Sequence, residues 1–335
     1  MKKRILILAL AASLTGSASA GVIKKTRSEV AFKGFGRLTM TQATKLVPDK
    51  QWTDTQSDFK GKGLLGGLAG KTVLRSGSFG EILDLPALTV TRLNPKKMEY
   101  TVEPIKKFEE DKEAREEEKG KEEKPEESDI KIIRSEFKVV ETGETGNLNG
   151  FPTTKYVVSW IVDWENVRTG EKGTNSLTTD VLATPVSAAI AGAREEETKF
   201  YKGYMKAIGL DQEKLSGDVL GSSWMSILEG MNAAKGRPGI SPDAAKAAGE
   251  MGKIKGYPVL IDGKYFVTSD KPKESEESSG GGLLGGLAKK ALKKKPSAAE
   301  AAEPALAYRI ETLEMGMKDL GAPDFEIPAG FKKKG

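Results

Sequence analysis

A chain of 335 residues with 53 basic and 48 acidic side chains, but neither a cysteine nor a histidine, excludes disulfide staples, thiol catalysis, iron–sulfur clusters and cysteine–zinc sites. It also lacks the commonest general base and transition-metal ligand. The formal charge of +5 counts Lys2, Lys3 and Arg4 at the extreme N-terminus, so the remainder is nearly balanced and gives no general reason to expect a nucleic-acid partner.

Those three basic residues precede an apolar run from Ile5 to Leu14, and Ala18-Ser19-Ala20 supplies a small-residue cleavage pattern, the signature of a secretory signal. Residues 1–20 are therefore expected to be a signal peptide removed near Ala20, leaving a soluble periplasmic or secreted protein. The apolar run is shorter than the ~20 residues a membrane-spanning helix needs. Leu14-Thr15-Gly16 resembles a lipoprotein signal, but Ser17 stands where the lipid-accepting cysteine would be.

Val30–Gln42 alternates, with Val30, Phe32, Leu38 and Met40 on one face, and Gly34 and Gly36 interrupt it. It reads as one strand with a bend, since glycine inside a strand usually marks a bulge or a close backbone approach. Gly61–Gly70 is glycine-rich and apolar and reads as a loop. Strand character resumes over Lys71–Leu85. Leu88–Leu93 and Met98–Val102 flank Asn94-Pro95-Lys96-Lys97, where proline presets φ for a turn, and predict a hairpin. Residues 106–131 are dense in Glu, Lys and Asp and bury too little surface to offset their ordering entropy, so they form a solvated charged loop. Ile132–Val140 returns to strand, and Gly143–Gly150 is expected to turn the chain.

The longest apolar alternation follows. Tyr156, Val158, Trp160, Val162 and Trp164 fall on one face and Val157, Ser159, Ile161 and Asp163 on the other, as a period of two requires. A face with two indoles and a phenol needs a deep partner. It is either sheet core beneath the protein's own helices, the commoner fate of aromatic faces, or the wall of a site for an apolar ligand. Gly173–Leu182 is its expected neighbour, reached through a Thr169-Gly170 hairpin.

Pro185 opens a helical regime. Apolar residues from Val186 to Ile208 recur at helical spacing, interrupted at Glu195–Glu197, with Gly209 placed as a C-terminal cap. A second helix is predicted over Asp218–Ala234. Such amphipathic helices in a β-rich chain must lay their apolar faces on the sheet. Gly256–Thr268 predicts two strands around an Asp262-Gly263 turn. Residues 271–304 are a second low-complexity loop, whose Gly282–Ala288 repeats Gly63–Ala69 residue for residue. Within Leu283–Lys295 the leucines and lysines would take opposite sides of a helix, a pattern suited to peripheral contact with an anionic membrane. Gly285 and Gly286, each costing ~1 kcal/mol of helix, favour a flexible loop instead. Leu306–Met315 is the last predicted strand, followed by a tail containing Phe325, Ile327 and Phe331.

The order of FGEILDLPALTVTRLNPKKMEYTV (Phe79–Val102), the charged loop, ETGETGNLNGFPTTKYVVSW (Glu141–Trp160) and PDFEIPAGFKK (Pro323–Lys333) resembles an uncharacterised family of exported bacterial proteins. That family in turn looks like the periplasmic lipoprotein-carrier (LolA-like) fold. The resemblance implies an α+β domain over residues 21–335, a curved antiparallel sheet forming an incomplete β-barrel wrapped around inserted helices and decorated by two low-complexity loops. It also implies a concave apolar face suited to a lipid or acyl chain. No catalytic constellation and no phosphate-cradling loop stands out, so neither enzyme activity nor a cofactor or metal is expected. The reading is a monomeric binding or carrier protein that takes its ligand along Tyr156, Val158, Trp160, Val162 and Trp164. The alternative is an envelope interaction protein whose sheet is filled by its own helices and whose loops contact a protein partner.

Overall fold

A computed structural model describes residues 19–63, 76–108, 129–210, 244–270 and 303–334. The predicted helix at Asp218–Ala234, the repeated glycine-leucine segments, Leu283–Lys295 and nearly all of both low-complexity loops lie outside these residues.

Twelve strands form a single curved, unclosed sheet in the order β12-β6-β5-β4-β3-β2-β1-β11-β10-β9-β8-β7. The order resolves into two antiparallel meanders. The first comprises β1 (Ser19–Phe32), β2 (Gly36–Val47), β3 (Lys50–Gly61), β4 (Gly77–Asp84), β5 (Thr89–Asn94) and β6 (Glu99–Pro104). The second comprises β7 (Ile130–Leu148), β8 (Phe151–Asn166), β9 (Lys172–Thr184), β10 (Tyr257–Ser269) and β11 (Leu306–Leu320). They join where β11 pairs antiparallel with β1. The two-residue β12 (Lys332–Lys333) adds parallel to β6, and β7 ends the opposite edge.

Two α-helices occur among the described residues, α1 (Ala188–Ala207) and α2 (Ala244–Met251). The fold is thus α+β with the sheet dominant. Helix α1 begins where the Ser187 hydroxyl accepts the Ile190 N–H at 3.3 Å, satisfying one orphan donor of the first turn. It ends at Gly209, whose φ of +78° is the left-handed geometry of a helix stop. The helix runs unbroken through Glu195–Glu197. Lys199 pairs with Glu195 and Glu196 along its surface, and Glu197 turns toward the sheet to meet Lys24 at 2.9 Å. Ala193 and Phe200 pack with Val22, Leu46 and Met315, which lays α1 across β1, β2 and β11.

Two sequence expectations are corrected, a third is narrowed, and one strand is added. Gly34 and Gly36 do not bend one strand but close the β1–β2 hairpin, with φ of +74° and +142°. Asp262-Gly263 is not a turn, because β10 runs straight through it. Gly143 lies within β7, at an irregularity between Glu141 and Thr145. The chain reverses at the end of the expected turn, at Asn149-Gly150, both with positive φ. Finally, β3 is a full strand that went unread because its two faces are almost equally polar.

Candidate functional site

Strand β8 owes its regularity to β-branched and aromatic residues, which fit a pleated, half-buried surface. Its five predicted site residues, Tyr156, Val158, Trp160, Val162 and Trp164, are brought together on one face and are each at most 2% exposed. Register carries that face across the second meander. Trp160 stands opposite Phe137 on β7 and Leu177 on β9. Leu177 faces Tyr265 on β10, which faces Leu306 on β11. All of them belong to one buried cluster.

Three polar groups of this cluster find partners inside the chain. The Trp164 indole N–H donates to Asn175 Oδ1 at 3.1 Å, and its ring covers Gly173, where a Cβ would collide with it. The Trp160 N–H reaches Ser135 Oγ at 3.4 Å. Thr179 Oγ1 and the Tyr308 hydroxyl lie 2.9 Å apart. The Tyr308 ring lies against Gly263, and this, rather than a turn, accounts for the glycine there. Burial pushes the Tyr308 phenol up to about 12, with Asp262 adding to the effect and Thr179 opposing it.

Helix α2 borders the cluster. Ala247 is buried in it, and Met251 and Ile254 pack against it. The helix is tied to the sheet edge by Glu250, whose carboxylate accepts the Val139 N–H at 2.9 Å and pairs with Lys253 at 2.6 Å. The Lys253 hydrogen bond, followed by that from Val139, holds the Glu250 carboxyl below its ordinary range.

The same inward face continues onto the first meander and changes character there. Val22, Lys24, Thr44 and Leu46 carry it past α1. Burial disfavours the Lys24 ammonium, but Tyr257 and Glu197 outweigh it and hold the Lys24 pKa above its ordinary value. Beyond α1, a hollow of about 560 Å³ opens over β2–β5, walled by Gln42, Thr44, Gln51, Thr53 and Thr55 and bordered by Phe79 and Tyr201. These residues were not singled out from sequence. With Gln51, Thr53 and Thr55 on one face of β3 and Trp52, Asp54 and Gln56 on the other, the strand shows no hydrophobic period.

Among the described residues, no three acidic side chains cluster as a metal cage would require, and no helix is long and apolar enough to cross a membrane. Compared with family models, characterised proteins and solved structures, the chain matches none.

Proposed function

We propose that this chain is a non-catalytic periplasmic carrier that buries a lipid or acyl chain on the Tyr156–Trp164 face of an incomplete barrel, with α2 as the displaceable cover. The observation that carries this reading is the contrast between the face and its cover. A contiguous aromatic cluster is bordered at the open edge of the sheet by a helix of eight residues, too short to be stable without tertiary contacts. The carboxylate of Glu250 ties it to the edge by accepting the Val139 N–H. Displacing α2 opens apolar surface on which each methylene of a ligand gains ~0.8 kcal/mol, so one long chain offsets the lost packing of Ala247 and Met251. Catalysis plays no part in the proposal.

The internal hydrogen bonds of Trp164 and Tyr308 favour the second reading, an envelope interaction protein with a self-filled core. Uptake of a dansyl-labelled fatty acid, followed by energy transfer from tryptophan, separates the two. The carrier reading expects saturable transfer that Glu250→Gln accelerates by loosening the cover. Absence of transfer in both proteins supports the self-filled reading.

A further inference from the structure

We infer that the hollow over β2–β5 is a second binding site, and that its ligand is an uncharged, hydroxyl-rich saccharide. The inward face of the second meander is mainly apolar, and its polar residues Asn175 and Thr179 are bonded to Trp164 and Tyr308, whereas here five neutral hydrogen-bonding side chains stand together. They stand at the pleat spacing of neighbouring strands, with Gln42 opposite Thr55, Thr44 opposite Thr53 and Leu46 opposite Gln51. One hydrogen bond joins them, from Gln42 Nε2 to Thr55 Oγ1 at 3.3 Å. Among the described residues, the side chains of Thr44, Gln51 and Thr53 make none. Their amides and hydroxyls, each both donor and acceptor, therefore remain available to a ligand with the same duality.

Charge narrows the class. Arg92 and Glu81 both line the hollow and pair with each other, and Glu103 on β6 pairs with Arg92 as well, so the wall offers no cationic excess to an anion. The borders supply the remaining requirement. Phe79 and Tyr201 are 49% and 44% exposed while flanking the hollow, leaving aromatic faces open to the C–H faces of sugar rings. The volume falls within the ~300–1,000 Å³ of small-molecule sites. A lipid tail would leave these polar groups unpaired, which is unfavourable.

The test uses the full-length protein with chitotriose and cellotriose as probes and inorganic phosphate as the anionic control, read by saturation-transfer NMR and titration. Saturable binding of at least one trisaccharide is expected, without competition from phosphate. Tyr201→Ala and Thr53→Val are each expected to weaken it about tenfold, the loss of one or two hydrogen bonds or a ring contact. Both variants are checked for an unchanged melting temperature. Binding of neither sugar, binding indifferent to both variants, or displacement by phosphate overturns the assignment. Neither residue belongs to the aromatic cluster around β8, so these outcomes leave the acyl-chain proposal standing or falling on its own test.

Discussion

Tyr308 is the residue whose surroundings make the sharpest demand. Its ring lies on Gly263 and its hydroxyl is held by Thr179, so neither end of the side chain is free to move. The Gly263→Ala variant must push a Cβ into a pinned ring, and a loss of about 1–3 kcal/mol is expected, measured as the shift of a urea unfolding midpoint. An unchanged midpoint would mean that the ring has room to yield. The phenol also gives an alkaline signature. Its pKa in the folded protein, about 12, stands above the ~10 of an unfolded chain, so the protonated form is favoured by folding. That contribution is complete below about pH 10 and is lost as pH rises from there through 12, at ~1.4 kcal/mol per unit. Tyr308→Phe removes the dependence, and denaturation curves across that window compare the two proteins.

Gly263 also marks a limit of reading residues from sequence. An Asp-Gly pair is the strongest short hairpin signal, yet here the glycine serves a ring 45 positions away in a partner strand, a contact no local pattern encodes. Gly34 and Gly36 err in the opposite sense, since a turn there was legible only as a bend.

At the scale of elements, the helices differ in how they are held. Gly192 lies inside α1, and a Cβ there would meet the Met317 side chain at 3.5 Å, ordinary contact with a flexible neighbour. Gly192→Ala is therefore expected to stabilise by roughly 0.5–1 kcal/mol, whereas Ser187→Ala, losing the cap, should destabilise by about 1 kcal/mol. A thermal melt of each variant checks the opposed signs. Helix α2 depends on a titratable group. The Glu250 pKa is depressed in the fold, so its contribution is present above the unfolded value, ~4.5 or slightly below, and is lost as pH falls through the folded value. The protection factors of residues 244–251, taken relative to intrinsic exchange at each pH, should fall on acidification through that range in the native protein. In Glu250→Gln protection should be low at every pH. Equal protection in both proteins would remove α2 as the yielding cover. Helix α1 and strand β8 were legible because their periods of 3.6 and 2 are carried by large apolar residues. Strand β3 was not, because Gln51, Thr53 and Thr55 alternate with Asp54 and Gln56 and leave hydropathy nothing to separate.

Across the described residues, the two meanders divide one inward face into an aromatic half and a polar half, with α1 lying between them. The aromatic half was readable as a face but not as a pocket or a core, since burial depends on what covers it, and α2 arises from an alanine-rich segment with no strong signal. Joining β1 to β11 is a matter of topology rather than pattern, because the partners are almost 300 residues apart. The central claim is that the covered aromatic face takes an apolar chain. The direct measurement is to purify the protein natively from a bacterial periplasm, extract it with organic solvent and quantify lipid by mass spectrometry. The account predicts a lipid or acyl chain in stoichiometric amount. An extract free of lipid, and still free after incubation with membrane lipids, would contradict it.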